Sequence, residues 1–270
     1  MTKTLNAPSE RGLFNSWSLV WELTKRQIFG RYKGATLGLI WTILTPLLML
    51  AVYYMAFGEI MKGRWPGVDG SSSTFAILIF AGLIVHGFFA ELLTQSPALI
   101  TGNTNYVKKV IFPLEILPWP MIFSALFHLL INLVLLLGFI WTIKGAIPVT
   151  AIYAPIVLAP LVFLMAGISW ILSSVGVYFR DLVQIVGPLS AASLFLSSVA
   201  VPMSAVPQRF RWLFDLNPIT FIVNQLRDVT IWGEMPKFSG LLLYTLMSLA
   251  VMTIGYIIFT SVKKGFADVL

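Results

Sequence analysis

The sequence predicts an all-α integral membrane protein with six membrane-spanning helices in a single domain, 1–270. Of the 270 residues, 58% are hydrophobic and only 11% are charged, whereas a soluble domain carries about 25% charged residues. The hydrophobic residues gather into runs of about 20, the length an α-helix needs to cross about 30 Å of hydrocarbon. Because unpaired backbone groups are costly in lipid, such runs fold as helices. The predicted spans are 38–57, 75–96, 120–143, 152–178, 183–203 and 239–262.

Residues 1–36 precede the first span and predict an interfacial amphipathic helix. Between residues 17 and 33, one stripe is mostly apolar and charged side chains point away from it. The stripe comprises Trp17, Val20, Trp21, Thr24 and Ile28, and the charged residues are Glu22, Lys25, Arg26 and Lys33. A basic flank that only fixes the topology is the alternative interpretation.

The loop 97–119, between the second and third spans, has the most informative pattern in the chain. Its segment NTNYVKKVIFPLEILP (103–118) contains the paired lysines Lys108 and Lys109, followed by Phe112-Pro113 and Glu115. Charged side chains are costly within hydrocarbon. The pattern therefore predicts a docking element at the cytoplasmic membrane surface.

The last spans are joined by a very short turn and by a long segment. Arg180 and Asp181 occupy the turn between the fourth and fifth spans, where they either cap helix ends and contact a partner or only anchor the topology. The segment 204–238 contains prolines yet keeps many hydrophobic residues. It predicts two short helices that dip back toward the membrane and are broken around Asn217-Pro218. An exposed ion pair between Arg227 and Asp228 would contribute only about 0–1 kcal/mol.

The basic residues orient the chain. The net charge of +7 is dispersed over the loops, which argues against a nucleic-acid-binding face. With a cytoplasmic N-terminus, the cytoplasmic side collects eleven Lys and Arg residues and the other side seven. The positive-inside rule therefore places both termini in the cytoplasm.

Few residues suggest chemistry. No Gly-rich loop followed by Lys-Ser or Lys-Thr is present, so the chain has no P-loop for ATP. His86 and His128 lie in apolar runs without the spacing of zinc ligands, and we interpret His86 as a packed or hydrogen-bonded residue. Glu91 lies near the cytoplasmic end of the second span, where an ionisable group is a functional candidate. It either acts in gating or subunit packing or reaches interfacial water.

Five segments, in this order, resemble the membrane subunit of ABC-2 type polysaccharide exporters, in particular the Wzm-like O-antigen permeases and their teichoic-acid and capsule relatives. They are KRQIFGRYKGATLGLIWTILTPLLML (25–50), LIFAGLIVHGFFAE (78–91), NTNYVKKVIFPLEILP (103–118), VYFRDL (177–182) and LNPITFIVNQLRD (216–228). The resemblance covers nearly the whole chain. It implies a transport subunit without enzymatic activity, located in the bacterial inner membrane.

The resemblance also implies partners. The chain would form a homodimer with two copies of a cytoplasmic ABC ATPase, which would bind the ATP and Mg²⁺, while this chain binds no cofactor. The substrate would be an undecaprenyl-linked polysaccharide moved from cytoplasm to periplasm. Exporters of teichoic acid, capsule, or a small lipid or drug are alternatives. A membrane-embedded glycosyltransferase is disfavoured, because the eleven acidic residues are scattered and none forms a DxD-like arrangement.

The resemblance further implies roles for particular residues. The loop 97–119 would carry a coupling helix that lodges in the ATPase, or would be held by its lysines near anionic lipid. The implied ATPase contacts are Asn105, Tyr106, Val107, Lys108, Lys109, Glu115, Arg180 and Asp181. The segment 204–238 would close the periplasmic mouth, shaped by Asn217, Pro218, Asn224 and Arg227.

A conduit for a glycan requires aromatic platforms and scattered hydrogen-bonding groups. The candidates are Trp41, Tyr53, Tyr54 and Phe57 near the first span, with Phe195 and Ser197 on the fifth. Aromatic residues near span ends also form interfacial belts. Small residues of the fifth span equally favour close helix packing at a dimer seam.

Overall fold

The computed structural model describes residues 11–56, 72–108 and 112–270. Within these ranges the chain is helical and contains no strand, as predicted. The α-helices are α1 (Arg11–Arg31), α2 (Trp41–Tyr53), α3 (Ser72–Gln95), α4 (Thr104–Val107), α5 (Pro118–Lys144), α6 (Ala154–Tyr178), α7 (Leu182–Phe195), α8 (Arg211–Leu216), α9 (Pro218–Arg227), α10 (Phe238–Val262) and α11 (Phe266–Val269).

Five helical stretches of the described chain are long and apolar enough to cross a membrane. They correspond to five of the six predicted spans: Gly38–Ala56, Ser73–Ala98, Leu114–Lys144, Val149–Tyr178 and Phe238–Val269. As helices, they form most of their backbone hydrogen bonds internally, which is what lipid requires. The chain is therefore a multi-pass membrane protein.

α3 and α5 form an antiparallel pair in the core of the bundle. The rings of Phe80 and Phe139 meet edge-to-face with centroids 6.3 Å apart. Further along the pair, Oε2 of Glu91 lies 3.9 Å from Nδ1 of His128. α3 is the most buried of the five candidate spans, so it forms the centre around which the others pack.

α6 and α10 run parallel and in close contact. Tyr153, just before α6, and Phe238, at the start of α10, have ring centroids 5.9 Å apart. At the other end, the hydroxyl of Tyr178 donates to the carbonyl oxygen of Val262 at 3.3 Å. Midway, a Cβ added to Gly167 would lie 2.5 Å from the carbonyl oxygen of Val251. Small residues allow this close backbone approach, as is common between membrane helices.

We define the α1 face as the end of the bundle where α1 lies. Gln27 of α1 donates to Gln95 at the end of α3, at 3.4 Å. At the same face, Lys263 after α10 pairs with Glu115 before α5, at 3.0 Å. α3, α6 and α10 therefore end at the α1 face, and α5 begins there.

Only part of the predicted stripe of α1 is buried against the bundle. Val20 and Thr24 are buried, but Trp17 and Trp21 are 57% and 59% exposed. The packed side continues through Gln27 to Arg31, because these polar groups find polar partners on α3 and α5. Trp17 nevertheless contacts Phe123 of α5, with ring centroids 6.3 Å apart, and exposed indole surface on α1 is compatible with an interfacial helix.

The predicted fifth span, 183–203, is also wrong as a continuous helix. Because α6 and α10 run in the same direction, residues 179–237 must return the chain from the α1 face to the opposite face. α7 has 14 residues, about 21 Å of helix, and ends at Phe195. Nε2 of His86 donates to the carbonyl oxygen of Ser190 at 3.1 Å, so α7 returns along α3. This contact confirms the interpretation of His86 as a hydrogen-bonded helix residue.

The α6–α10 contact makes a stability prediction. Gly255→Ala would place a methyl group against the backbone carbonyl of Gly167, and overpacking of this kind costs about 1–3 kcal/mol. We expect a lowered Tm in detergent. Gly138→Ala is the matched control, because a Cβ at Gly138 meets open space and its Tm should not fall. Equal melting temperatures for the two variants would contradict the close approach.

Candidate functional site

The chain between α7 and α9 breaks the helix inside the bundle. Beyond Phe195 the backbone forms turns, and a Cβ added to Gly82 would lie 2.9 Å from Cα of Val199. Gly82 is about 15 Å along α3 from its first residue, Ser72. The last carbonyl groups of α7 therefore lie inside the bundle, far from either end of α3. There they need hydrogen-bond donors from the protein.

Asn217 supplies some of these donors. Its Nδ2 donates to the carbonyl oxygens of Ser193 (2.9 Å) and Leu196 (3.0 Å), at the end of α7. Its Oδ1 accepts the backbone N–H of Ile219 at 3.2 Å, which caps the start of α9. One amide therefore joins the end of α7 to the beginning of α9.

Arg227 supplies the others and is only 2% exposed. Its Nη1 donates to Ser198 O (2.5 Å) and its Nη2 to Val199 O (2.8 Å). Nε and Nη2 also donate to Leu78 O of α3, at 2.9 and 2.7 Å. Arg227 is buried, so the pair with Asp228 that the sequence allows would not be an exposed one. The carbonyls of the break, rather than solvent, surround the guanidinium, whose five donors suit several acceptors.

A glycine makes room for Arg227 on α3. A Cβ on Gly82 would lie 2.9 Å from Nη2 of Arg227. Any larger side chain at this position would push the guanidinium away from Leu78. The close approach of the break to α3 therefore depends on Gly82.

α9 continues toward the opposite face, where side chains at the end of α5 and just before α6 donate hydrogen bonds to the backbone that follows α9. Lys144, at the end of α5, donates to Ile231 O at 2.6 Å, and Thr150 donates to Val229 O at 2.7 Å. Gln225 donates to Asp228 at 2.8 Å. Together α7 and α9 form a discontinuous return, with residues 196–216 inserted between them.

The predicted gate residues thus lie in and around this break. The two short helices α8 and α9 meet at Asn217-Pro218, at the predicted position. Pro218 begins α9, and its carbonyl oxygen accepts the hydroxyl of Tyr244 at 2.8 Å. Asn224 is half-buried on α9.

The loop 97–119 lies at the α1 face. Its described residues, which do not include 109–111, form short 3₁₀ turns at Ser96–Ala98, Thr101–Asn103 and Leu114–Ile116 and the four-residue α4 rather than one continuous helix. The prolines and the glycine within the loop disfavour a longer helix. Among the predicted contact residues of α4, Asn105 is exposed, whereas Tyr106 and Val107 are partly buried.

Within this loop the side chains have clear positions. Tyr106 stacks on Phe112, with ring centroids 4.4 Å apart, and Val107 packs against the hydrophobic core. Lys108 is exposed, and Lys109 lies outside the described residues. Asn105, Tyr106 and Gln27 are among the residues that line a groove of about 520 Å³ between α1 and the loop.

Glu115 is partly buried and paired within the protein, whereas the turn at 180–181 is exposed. Glu115 pairs with Lys263, and its carbonyl oxygen accepts Nε1 of Trp170 at 3.0 Å. It therefore ties the loop to α6 and to the end of α10. Arg180 and Asp181 are exposed at the α1 face. Asp181 precedes α7 without a side-chain capping bond, so capping of α7 by Asp181, one of the two interpretations, is wrong.

A polar cluster that the sequence did not predict joins α1 to α3 and α5. Nη1 of Arg31 donates to Oε1 of Glu91 at 2.9 Å and to Nδ1 of His128 at 3.0 Å. The hydroxyl of Tyr32 lies 3.2 Å from Nε2 of His128, and Gln95 donates to Glu91 at 3.2 Å. Glu91 therefore has protein partners and does not merely reach interfacial water. The contacts of Arg31 join residues that are 60 and 97 positions apart in the chain, so no local sequence pattern predicts them.

The predicted path residues differ in exposure. On α2 and just after it, Trp41 and Tyr53 are half-buried and Tyr54 is exposed, while Phe57 lies outside the described residues. Phe195 is 66% exposed at the end of α7. Ser197 is fully buried and donates to Leu194 O at 3.0 Å. Ser197 is therefore wrong as a lining residue in this conformation.

The fold is that of a polytopic helical membrane protein with polar elements at the α1 face and a discontinuous return that runs from this face to the opposite one. The chain matches the family described as ABC-2 type transporter over residues 18–231, and it belongs to that family. This confirms the resemblance to permeases of ABC-2 exporters.

Curated relatives extend over nearly the full chain. The O-antigen export system permease protein RfbA of Myxococcus xanthus is 27% identical over 264 residues, covering 96% of this chain and 97% of the relative. RfbA of Klebsiella pneumoniae is 24% identical, covering 92% and 93%. The polysialic acid transport protein KpsM of Escherichia coli is 23% identical, covering 89% and 92%. The chain is similar to polysaccharide export permeases.

Arg227→Met tests the support of the break. It would remove the donors to the carbonyls of Ser198 and Val199, and a buried acceptor left unpaired costs about 1–3 kcal/mol. We expect a lower Tm in detergent and faster proteolysis within residues 196–216. Arg209→Met is the control, since the guanidinium of Arg209 stacks on Phe210 near the surface. Equal stability of the two variants would contradict the role of Arg227.

Asn217→Asp separates the two roles of this side chain. Aspartate keeps an oxygen that can cap Ile219, but it loses the N–H donors to Ser193 and Leu196. We expect Asn217→Asp to lower the free energy of unfolding by about 1 kcal/mol or more, nearly as much as Asn217→Ala, and to lower the Tm accordingly. A Tm of Asn217→Asp equal to that of the unmodified protein would show that only the cap of α9 matters.

Proposed function

We propose that this chain is the permease subunit of an ATP-driven exporter that moves an undecaprenyl-linked, O-antigen-like polysaccharide from cytoplasm to periplasm. The observation that carries the proposal is its similarity to relatives named for O-antigen export, which covers 92% to 96% of this chain. Because the chain has no P-loop, the energy would come from a separate ABC ATPase.

We place the α1 face in the cytoplasm of the cell and the ATPase against it. This orientation puts both termini in the cytoplasm, in the bacterial inner membrane. Asn105, Lys108 and the exposed turn at Arg180 lie on this one face, as contacts to a single partner require. Two ATPase copies would match a homodimer of this chain. Support for the dimer comes from α7, whose exposed side carries apolar and small residues such as Leu189 and Ala191.

α3 offers a physical route from the ATPase side to the break. Its end leads directly into the loop 97–119, and Leu78, near its beginning, accepts hydrogen bonds from Arg227. A helix transmits displacement along its axis because its hydrogen bonds are internal. In this proposal, a push on the loop moves α3 and loosens the contacts of Arg227. The segment 204–238 then opens as the periplasmic gate, and variants of Asn217 or Arg227 alter transport or leak without losing the ATPase.

A capsule-type cargo is the second candidate. The similarity to a polysialic acid transport protein favours it, because capsule export uses the same kind of permease with a different glycan. Exporters of teichoic acid or of a small lipid or drug share the family architecture. The glycan used in the assay decides among them.

Co-purification with an ATPase tests the proposal. The chain is co-expressed with a P-loop ATPase encoded by a neighbouring gene, purified in mild detergent, and assayed for ATP hydrolysis with and without lipid-linked glycan. A stable complex stimulated by the glycan supports the exporter. A complex whose ATP hydrolysis does not respond to the glycan favours another ABC-2 cargo. The absence of any complex contradicts the proposed transport function.

The loop 97–119 makes a prediction within this assay. Lys108→Glu with Lys109→Glu should weaken ATPase association by about tenfold or more, or about 1.4 kcal/mol, and abolish export, because both charges at the docking surface are reversed. Membrane insertion should be unchanged. The control is Lys264→Glu, an exposed lysine at the same face but outside the loop. Normal export by the double variant would refute the docking role.

A further inference from the structure

The segment that follows α10 packs against the end of α6. It consists of a short turn, Lys263–Gly265, and α11. Phe266, the first residue of α11, is fully buried. Its ring meets that of Phe259 in α10 edge-to-face, with centroids 5.5 Å apart, and that of Tyr178 in α6 at 6.1 Å. Because a buried aromatic ring removes a large apolar area from water, Phe266 attaches the segment to both helices.

Tyr178, the last residue of α6, has three contacts with the end of α10 and this segment. Its hydroxyl donates to Val262 O at 3.3 Å, and a Cβ on Gly265 would lie 2.8 Å from the same hydroxyl oxygen. Its ring packs on Phe266. The exposed turn that contains Arg180 begins directly after Tyr178. The segment therefore fixes the residue from which this turn starts.

Lys263 connects the same segment to the loop 97–119. Its Nζ lies 3.0 Å from Oε2 of Glu115, and the two side chains are only 31% and 25% exposed. The backbone of Glu115 is held as well, because its carbonyl oxygen accepts Nε1 of the buried Trp170. Lys263 and Phe266, three residues apart, thus contact the end of the loop and the beginning of the turn, respectively.

The beginning of the loop is attached to α6 too. Oγ of Ser96 donates to Oγ of Ser169 at 2.9 Å, and both side chains are fully buried. A Cβ on Gly176 would overlap the carbonyl oxygen of Pro97. Gly176 lies two residues before the end of α6, which is about 3 Å along the helix axis. Both ends of the loop and the start of the turn are therefore joined through α6 and the segment after α10.

We propose that Lys263 and Phe266 are positioning residues that hold the loop 97–119 and the turn at Arg180 as one rigid unit for docking of the ATPase. The assignment rests on the proposed function, in which both contacts meet one partner. Two contacts held at a fixed spacing bind a partner more tightly than two that move independently, because less ordering is required on binding. A rigid unit also transmits a push from the ATPase to α3 without sliding between the two contacts.

Glu115 takes a different role here from the one that the resemblance implies. It acts through Lys263 instead of contacting the ATPase. A direct contact depends on the charge at position 115 itself, whereas the positioning pair depends only on opposite charges at the two positions. Glu115→Lys combined with Lys263→Glu, the exchange variant, therefore keeps the positioning pair and would disrupt a direct contact.

The test measures the spacing of the two contacts in the full-length chain. Because the sequence has no cysteine, spin labels are attached through Asn105→Cys and Gln184→Cys, both at exposed positions. The labelled chain is diluted with unlabelled chain in lipid nanodiscs and measured by double electron–electron resonance. We expect Lys263→Gln and Phe266→Leu to broaden the distance distribution about twofold, because ordering is lost. Lys264→Gln, at an exposed neighbouring lysine, is the matched control and should leave the distribution unchanged.

A merely structural role predicts a different pattern. A partly exposed ion pair contributes little to stability, so Lys263→Gln should fold with an unchanged Tm in detergent even if Phe266→Leu does not fold. If the pair only stabilised the bundle, Lys263→Gln would lower the Tm and leave the spacing of the labels as it was. The exchange variant should restore the original width of the distribution.

Affinity for the ATPase is the second readout. It should fall about fivefold in Lys263→Gln and return to within about twofold of the original in the exchange variant. Three results would overturn the proposal: an unchanged distribution in Lys263→Gln, an equal effect of Lys264→Gln, or an exchange variant that regains the spacing but not the affinity. The distance measurement needs no ATPase, so its failure is distinct from failure of the exporter proposal.

Discussion

The discontinuous return depends on supplying donors to the carbonyl groups at the end of α7. In lipid each unpaired backbone group is expensive, so a helix can stop inside the bundle only where other residues donate. Asn217 and Arg227 do so for Ser193, Leu196, Ser198 and Val199. Their positions then require that α9 be buried and that Gly82 remain small.

α3 connects the polar elements of the two faces. It carries Glu91 and Gln95 near the α1 face, His86 against α7, and Leu78 beneath the guanidinium of Arg227. Its burial is therefore more than a consequence of composition, since each neighbour attaches to it through a specific bond. In the mechanism that we propose, a displacement of α3 alters both the cluster of Arg31 and the break.

Much of the architecture follows from local pattern, and the exceptions are informative. The long spans, the position of the loop 97–119 and the break at Asn217-Pro218 were all predictable, because hydropathy, lysine pairs and proline act within a few residues. The early end of α7 was not. The run 183–203 is apolar throughout, and composition does not distinguish a helix from turns whose carbonyls are paired by distant donors. The burial of Arg227 was not predictable for the same reason.

The sequence by itself determined that the protein is helical and crosses the membrane several times, because transfer of apolar runs into lipid is a sum of local terms. The same sequence places it among the ABC-2 type transporters. The tertiary structure alone decided which polar groups meet. Arg227 reaches Leu78 across 149 residues, and Arg31 reaches Glu91 across 60. Such partners depend on how the helices pack, and packing depends on the whole chain rather than on any one segment.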